Sequence, residues 1–265
     1  QRGDRPRSRR YWIRGGGLES SVEMAISYVL LGSLADATDA SSYTLTPSVY
    51  PTAGRLVLLA VFNAKGASAP ANVPTVSGLS MVWDQVATQT MYTETGVLLR
   101  RLTVFRSCDA APDASGNITI DFAGVTQVGC AASLVELTGT SAVTADNGAA
   151  TIVQSVAPAA VDSAVTSISV TLAAFADATN NAAYQVNAHN MNEVTAEEAG
   201  WTELHDLIVS APAGAMETAF LVGEDTSPSA SWTTARRANM IALEIAAAVA
   251  AATERGWFVS RGGWF

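Results

Sequence analysis

Two segments of this chain share one residue order, and this repetition constrains the fold more than any other feature. Glu136 lies in the apolar segment Leu134–Gly139, and Glu244 lies 108 residues later in the similar segment Ala242–Ile245. Three further pairs of segments precede these two in matching order: Leu102–Phe105 with Thr218–Leu221, Ser80–Val86 with Ala199–Leu204, and Leu56–Phe62 with Ser169–Phe175. We interpret the pattern as an internal duplication of a strand–tryptophan–strand–strand unit. The alternative is chance similarity between β-strands, because the spacing of the segments drifts by several residues.

Alternating apolar and polar residues predict β-strands through most of the chain. The alternation is clear in Asn117–Phe122 and Ser167–Leu172, which predicts half-buried strands. Leu56–Phe62 is apolar on both faces and predicts a central strand that is covered on both sides. The alanine run Ile245–Ala252 is the main helical signal, and we expect one or two helical turns there. Many short strands without alternating helices predict an all-β fold, a jelly-roll-like β-sandwich.

We expect three parts along the chain. Residues 1–23 form a basic extended arm, residues 24–250 form a single sandwich domain, and residues 251–265 form a tail of aromatic residues and glycines. If the duplication is real, each half supplies strands to a shared core. Two separate small domains are the alternative, which we disfavour because residues 140–165 do not have the composition of a solvated linker.

The net charge of −9 is unevenly distributed. Eight of the 15 basic residues lie in residues 1–23 and 254–265, and the rest of the chain carries 20 acidic residues against seven basic ones. An acidic body argues against nucleic-acid binding, because it has no cationic face for phosphates. The basic ends suit an acidic neighbour, which includes another copy of the same body. No apolar run reaches the roughly 18 residues that a membrane span needs.

No signature of an enzyme, a cofactor or a metal site stands out. The chain has no G-x-S-x-G motif, and its only histidines are His189 and His205. Neighbouring residues of a strand point to opposite faces, so His205 and Asp206 cannot pair, and we expect His205 to be a surface residue. The adjacent acids Glu197 and Glu198 fail as a glycosidase pair for the same reason. Two histidines and two cysteines at these spacings form no zinc template. Calcium in the loop 109–113 is left open.

The two cysteines allow two interpretations. Cys108 and Cys130 are 22 residues apart, at a predicted strand end and inside a predicted strand. Two small buried thiols are the simpler interpretation. A disulfide between neighbouring strands is the alternative.

Tryptophans are the candidates for carbohydrate binding, because sandwiches often bind sugars on exposed aromatic rings. Trp83 and Trp201 occupy matching places in the two halves, which favours a pair of core residues. Trp232, which serines and threonines flank, is the candidate ligand platform.

The two chain ends share an aromatic–aromatic–branched–arginine–glycine order. Exposed aromatic residues beside arginine are typical of protein–protein contacts. The alternative is that both ends fold back on their own sandwich. The candidate interface residues are Tyr11, Trp12, Arg14, Trp257, Phe258, Arg261, Trp264 and Phe265.

Five segments share a residue order that is typical of one group of proteins: Met24–Tyr28, Ala35–Leu45, Gly54–Val57, Glu136–Gly139 and Gly200–Leu204. Through them, residues 24–246 resemble uncharacterised β-sandwich proteins of tailed bacteriophages and prophages. The resemblance implies a virion structural role, as a decoration or spike protein of the head or as a module of the tail or fibre.

These observations lead to one expected function and two alternatives. We expect a non-enzymatic decoration or spike protein on the exterior surface of a virion, which docks through its terminal arms and forms a homo-oligomer, with a trimer favoured. The first alternative is a tail-fibre or cell-surface adhesin that binds a receptor or a glycan and is extracellular. The second is an enzyme that acts on cell-wall sugars, which would require a pair of carboxylates in a cleft.

Overall fold

Sixteen β-strands run through the residues that the computed structural model describes, which are 25–66, 71–93, 95–160 and 162–249. The first eight strands are β1 Ser27–Asp36, β2 Ser42–Leu45, β3 Leu56–Ala64, β4 Thr75–Gly78, β5 Asp84–Tyr92, β6 Leu98–Ser107, β7 Ile118–Asp121 and β8 Gly129–Thr138. The second eight are β9 Ile152–Val156, β10 Val165–Ser169, β11 Ala182–His189, β12 Ala196–Glu197, β13 Thr202–Val209, β14 Gly214–Val222, β15 Ser229–Arg236 and β16 Ala238–Ile245. In these ranges the helical elements are two 3₁₀ turns, Thr144–Asp146 and Ala149–Thr151. The predicted all-β sandwich is confirmed.

The two sets of eight strands have the same topology. In the first set, an inner sheet has the order β1-β8-β3-β6-β5 and an outer sheet has the order β2-β7-β4. In the second set, the inner sheet is β9-β16-β11-β14-β13 and the outer sheet is β10-β15-β12. Each strand therefore has its counterpart eight strands later, and all the pairings are antiparallel. This is a jelly-roll order. The duplication is present in the topology, and we call the two sets repeat one (β1–β8) and repeat two (β9–β16).

The two inner sheets face each other and share one apolar core. Leu58 and Phe62 of β3 belong to the same buried cluster as Tyr184 and Val186 of β11. Each repeat also has one smaller apolar cluster between its inner and outer sheets. The molecule therefore has four layers of sheet. Strand β1 contacts β13, and β5 contacts β9. Because β9 is the counterpart of β1 and β13 is the counterpart of β5, the two contacts are equivalent. The repeats are thus related as the subunits of a two-fold symmetric dimer are.

The sequence pattern of β3 agrees with its place in the middle of this stack. All nine of its residues are buried. Leu58 and Phe62 face the other repeat, and Leu59 and Val61 face the outer sheet. Strand β7, the central strand of the outer sheet, shows the predicted alternation, because Ile118 and Ile120 face inward. Two-sided and one-sided burial are thus visible in the sequence as different periodicities.

One pairing of the predicted duplication is wrong. The counterpart of β3 is β11, Ala182–His189, and the segment Ser169–Phe175 instead spans the end of β10 and the loop after it. The error has a chemical cause. The face of β11 that points to the outer sheet carries Gln185, Asn187 and His189, so the segment lacks the apolar character by which β3 was matched.

The prediction of helical turns after the last strand is also wrong as far as the described residues extend. Residues 246–249 are not helical. Ala247 forms a β-bridge with Thr140, and the Ala248 N–H donates to the Gly139 carbonyl over 2.8 Å. The high helix propensity of alanine is overridden here by backbone pairing with the segment after β8.

A carboxylate cluster in repeat two

The pairing registers align the repeats residue by residue. Glu136 of β8 pairs with Val57, and Glu244 of β16 pairs with Ala183. This anchor matches the positions of the inner sheets that face the outer sheets. On β3 and β11, Leu59, Val61 and Asn63 correspond to Gln185, Asn187 and His189. On β6 and β14, Thr103 and Phe105 correspond to Glu217 and Ala219. Leu59 and Val61 of repeat one are apolar where repeat two has Gln185 and Asn187, and the neutral Thr103 is replaced by the carboxylate of Glu217.

Three glutamates of repeat two converge in this polar interior. Glu197 lies on β12 of the outer sheet, and Glu203 and Glu217 lie on β13 and β14 of the inner sheet. One carboxylate oxygen from each lies within 4.8 Å of the other two. Glu203 is exposed, Glu197 is half-buried and Glu217 is buried, so the cluster leads from solvent into the interior.

Glu217 is at the buried end of the cluster. Asn187 Nδ2 donates to Glu217 Oε2 over 2.8 Å, while Glu217 Oε1 has no hydrogen-bond partner among the described residues. The pKa of Glu217 is raised to about 7, chiefly by burial and also by the charges of Glu197, Asp206 and Glu203, while the hydrogen bond from Asn187 opposes this rise. At neutral pH this carboxyl is therefore poised between its protonated and charged forms.

Asp206 extends the acidic group along β13. It pairs across the ladder with Glu217 and accepts a hydrogen bond from the Thr195 backbone N–H over 3.2 Å. Burial raises the pKa of Asp206 to about 6, with further contributions from Glu203 and Glu197. Thr88 and Thr103 stand at the equivalent positions of repeat one, where their hydroxyls lie 2.9 Å apart. A neutral hydrogen-bonded pair in one repeat is thus replaced by two carboxylates in the other.

Trp232 is not an exposed platform, which corrects the prediction made for it. Its exposed fraction is 6 %, and its Nε1 donates to the Val165 carbonyl over 2.8 Å. Its ring faces the buried ring of His189, with centroids 4.9 Å apart. Its immediate neighbours Ser231 and Thr233 are exposed and lie on the other face of β15, because adjacent strand residues alternate. Trp83 and Trp201 pack against the apolar clusters of their own repeats, as expected.

The two histidines lie in different layers. His189, beside Trp232, has a pKa lowered to about 4, chiefly by burial. The prediction that His205 is a surface residue is wrong, because it is half-buried between the inner sheets and its Nδ1 lies 2.8 Å from Ser133 Oγ. Burial lowers the pKa of His205. Asp206 points to the opposite face, as predicted, so His205 and Asp206 do not form a catalytic pair.

The remaining predicted positions divide into described and undescribed ones. Glu198 is exposed and accepts a hydrogen bond from Ser229 Oγ, so it faces away from Glu197. Cys108 and Cys130 are buried free thiols. In the loop 109–113, Asp109 accepts the backbone N–H of Ala111, which is a turn-stabilising role. The arm 1–23, the tail 251–265 and the candidate interface residues lie outside the described residues.

The sequence did not reveal this cluster, because its members come from three strands. Glu197 and Glu203 could be recognised only as separate acids, and Glu217 lies in an otherwise apolar segment. A glutamate inside such a segment is a signal that could have drawn attention to Glu217, since buried carboxylates are rare without a partner. Chemically, carboxylates this close can hold a hard cation or share protons.

The comparisons with known proteins add no family. None of the protein-family models, curated proteins or solved structures compared with the chain matches it. Within the described residues, no helix combines the length and the apolar character that a bilayer span requires.

Proposed function

We propose that this chain is a non-enzymatic structural protein of the exterior of a phage virion, a decoration or spike module that docks through its two terminal segments. The observation that carries the proposal is the place where the chain enters and leaves the body. Ser27 pairs with Thr138 at the start of β1, and their hydroxyls lie 2.7 Å apart. Ala248, near the last described residue, bonds to Gly139, the next residue along. Both ends therefore leave the body at one corner.

The chemistry of the ends supports attachment there. Residues 1–23 and 254–265 hold eight of the 15 basic residues and repeat an aromatic–arginine–glycine order, whereas the body is acidic. An apolar groove lies at the same corner, lined by Ile26, Tyr28, Gly200, Phe220 and Val222. Two terminal segments that start together can engage one neighbouring subunit, and the far side of the double sandwich then faces outward. A homo-oligomer, with a trimer favoured, would let the basic ends of one copy contact the acidic body of the next.

Particle binding tests this proposal. Purified protein is added to virions that lack it, and the occupancy of the particles is measured. Three proteins are compared: the full chain, a deletion of residues 1–23, and the double variant Tyr11→Ala/Trp12→Ala. The deletion should abolish binding and leave the thermal unfolding of the sandwich unchanged. Val194→Ser, an exposed apolar position of the body, is the control and should bind like the full chain. Unchanged occupancy after the deletion would reject docking through the arms.

The alternative is a receptor-binding or glycan-binding module of a tail fibre or cell surface. The polar interior of repeat two favours it, because that region opens to solvent at Glu203. Immunogold labelling with an antibody against residues 24–250 separates the two. Gold over the heads supports the decoration protein, gold at the tail tip supports the adhesin, and unlabelled particles reject both virion locations.

A further inference from the structure

We propose that Glu197, Glu203 and Glu217, together with the amide oxygen of Asn187, form a calcium site between the inner and outer sheets of repeat two. This site is independent of docking through the arms. It gives the chain a ligand of its own, in a part of the fold that the proposed function does not use.

The spacing of the carboxylates suits one ion. Calcium binds oxygen atoms at about 2.3–2.6 Å, so two oxygens on the same ion lie at most about 5 Å apart. Oxygens of Glu197, Glu203 and Glu217 lie within 4.8 Å of one another, and they come from strands of both sheets. Three carboxylates so close together repel unless a cation or protons neutralise them.

A second observation comes from the buried amide beside them. Asn187 is fully buried, and its Nδ2 donates to Glu217 Oε2. Its Oδ1, on the same amide and so next to this carboxylate, has no hydrogen-bond partner among the described residues, and neither has Glu217 Oε1. Buried polar atoms are normally paired. Both oxygens are acceptors without a donor, and a cation bound to Glu217 Oε1 and Asn187 Oδ1 would be a partner for both.

Repeat one has the same fold without the three carboxylates. The counterparts of Asn187, Glu203 and Glu217 are Val61, Gln85 and Thr103, and Thr103 is hydrogen-bonded to Thr88. Strand β4, the counterpart of β12, is Thr75–Gly78 and has no carboxylate. The jelly roll therefore does not need these acids for folding, and the proposal assigns one site to each chain.

The donor set and the surroundings favour calcium over other divalent ions. All four donors are oxygen atoms, which hard cations prefer, whereas zinc prefers nitrogen and sulfur. Magnesium requires a near-ideal octahedral arrangement of ligands. Glu203 is exposed and only Glu217 is buried, so these carboxylates are less suited to hold such a rigid geometry. Residues 152–249 carry eleven acidic residues and two arginines, so the field around the site attracts cations. Glu203, at the exposed edge of the cluster, provides access from solvent.

Calorimetric titration tests the proposal. The full chain is treated with a chelator, dialysed to a pH well above the Glu217 pKa of about 7, and titrated with calcium chloride and then with magnesium chloride. We expect one calcium per chain, with weaker binding of magnesium. Calcium should also raise the melting temperature, because a ligand that binds only the folded state stabilises it.

Matched variants distinguish the site from general surface charge. Glu217→Gln and Glu203→Gln should each weaken calcium binding by at least about tenfold, the loss that follows when a metal site is deprived of even a supporting group. Glu203 is exposed, so its substitution tests the site if the Glu217 variant fails to fold. Glu198→Gln removes the same charge one residue from Glu197, and it should change the affinity by no more than about twofold, because exposed charges are screened.

Two results would overturn the proposal. One is a wild-type chain that shows neither binding heat nor a shift in melting temperature with millimolar calcium. The other is equal weakening by Glu198→Gln and Glu203→Gln, which would show that calcium only screens surface charge. If, in the first case, the melting temperature still responds to acid, the carboxylates share protons instead of a cation.

Discussion

Glu136 and Glu244 occupy equivalent positions of the two repeats, and each carboxylate binds the loop that leads into the neighbouring inner strand. Glu136 Oε2 accepts the Thr52 backbone N–H over 2.6 Å, ahead of β3. Glu244 Oε1 accepts the Ala176 backbone N–H over 2.8 Å, ahead of β11. The residue on which the sequence repeat was recognised is therefore a structural residue, which fixes a loop against the middle of the inner sheet.

Glu244→Gln should destabilise the fold more than Glu136→Gln. The Glu244 carboxylate also accepts bonds from Asn181 Nδ2 and Gln154 Nε2, at 2.6 and 2.7 Å, and a glutamine amide group would face one of these donors. We expect Glu244→Gln to lower the free energy of unfolding by about 2–4 kcal/mol and Glu136→Gln by about 1–2 kcal/mol. Urea unfolding of both variants measures this difference. Equal losses would show that the extra bonds of Glu244 contribute nothing.

Glu217 should make the calcium-free protein less stable as the pH rises. Its pKa is about 7 in the folded state against an ordinary value of 4.5. The folded state then holds a proton that the unfolded state has released, so the free energy of unfolding falls between pH 4.5 and 7. The contribution is about 3–4 kcal/mol, since each pKa unit corresponds to about 1.4 kcal/mol and the shift from 4.5 to about 7 spans about two and a half units. Urea unfolding at several pH values, in wild type and in Glu217→Gln, measures it.

The difference between those two proteins isolates the Glu217 contribution. Asp206, whose pKa is raised to about 6, acts in the same direction and remains in the variant. Wild type and Glu217→Gln should diverge above pH 4.5, and their stability difference should level off above pH 7. A constant difference across this range would mean that Glu217 titrates normally.

His189 should act in the opposite direction on the acid side. Its pKa is about 4 in the folded state against 6.5, so the unfolded state binds a proton first as the pH falls. Its contribution to stability is complete above pH 6.5 and is lost as the pH falls through 4. His189→Asn introduces the residue that repeat one has at Asn63, and it should reduce this acid-induced loss by about 2–3 kcal/mol. Thermal unfolding at pH 4 and pH 7 of both proteins is the measurement, and identical losses would contradict the assignment.

Trp232 should behave as a core residue when it is substituted. Trp232→Ala removes a buried ring that packs on His189, and we expect a loss of about 3–5 kcal/mol in the free energy of unfolding. Trp232→Phe keeps most of the packing and loses the bond from Nε1 to the Val165 carbonyl, so about 1–2 kcal/mol should be lost. Urea unfolding of the two variants tests both values. An alanine variant of unchanged stability would restore Trp232 as a ligand platform.

The sequence predicted the fold where packing imposes a periodicity. Buried β3 and half-buried β7 differ in their patterns because one strand is covered on both faces and the other on one. The tryptophans Trp83 and Trp201 marked equivalent places because both precede the same strand of their repeats. Such features depend only on neighbouring residues. They can therefore be recognised from one sequence without knowing which strands pair.

The site could not be predicted in the same way, because it depends on strand order. Glu197 meets Glu217 only because β12 of the outer sheet covers β14 of the inner one, and nothing in either segment specifies that contact. The polar residues of β11 are also the reason why its correspondence to β3 was not recognised from the sequence. The polar residues Gln185, Asn187 and His189 thus remove the apolar signal by which the duplicated strand would have been recognised.

The two-fold relation between the repeats has a consequence for how such a protein acquires new chemistry. Two identical jelly rolls that met through their inner sheets would carry every mutation twice, on both sides of the axis. In a single polypeptide, a substitution changes only one of the two halves. The two halves can therefore differ as they do here, with apolar packing around Leu59 and Phe105 in repeat one and raised-pKa carboxyls at Glu217 and Asp206 in repeat two.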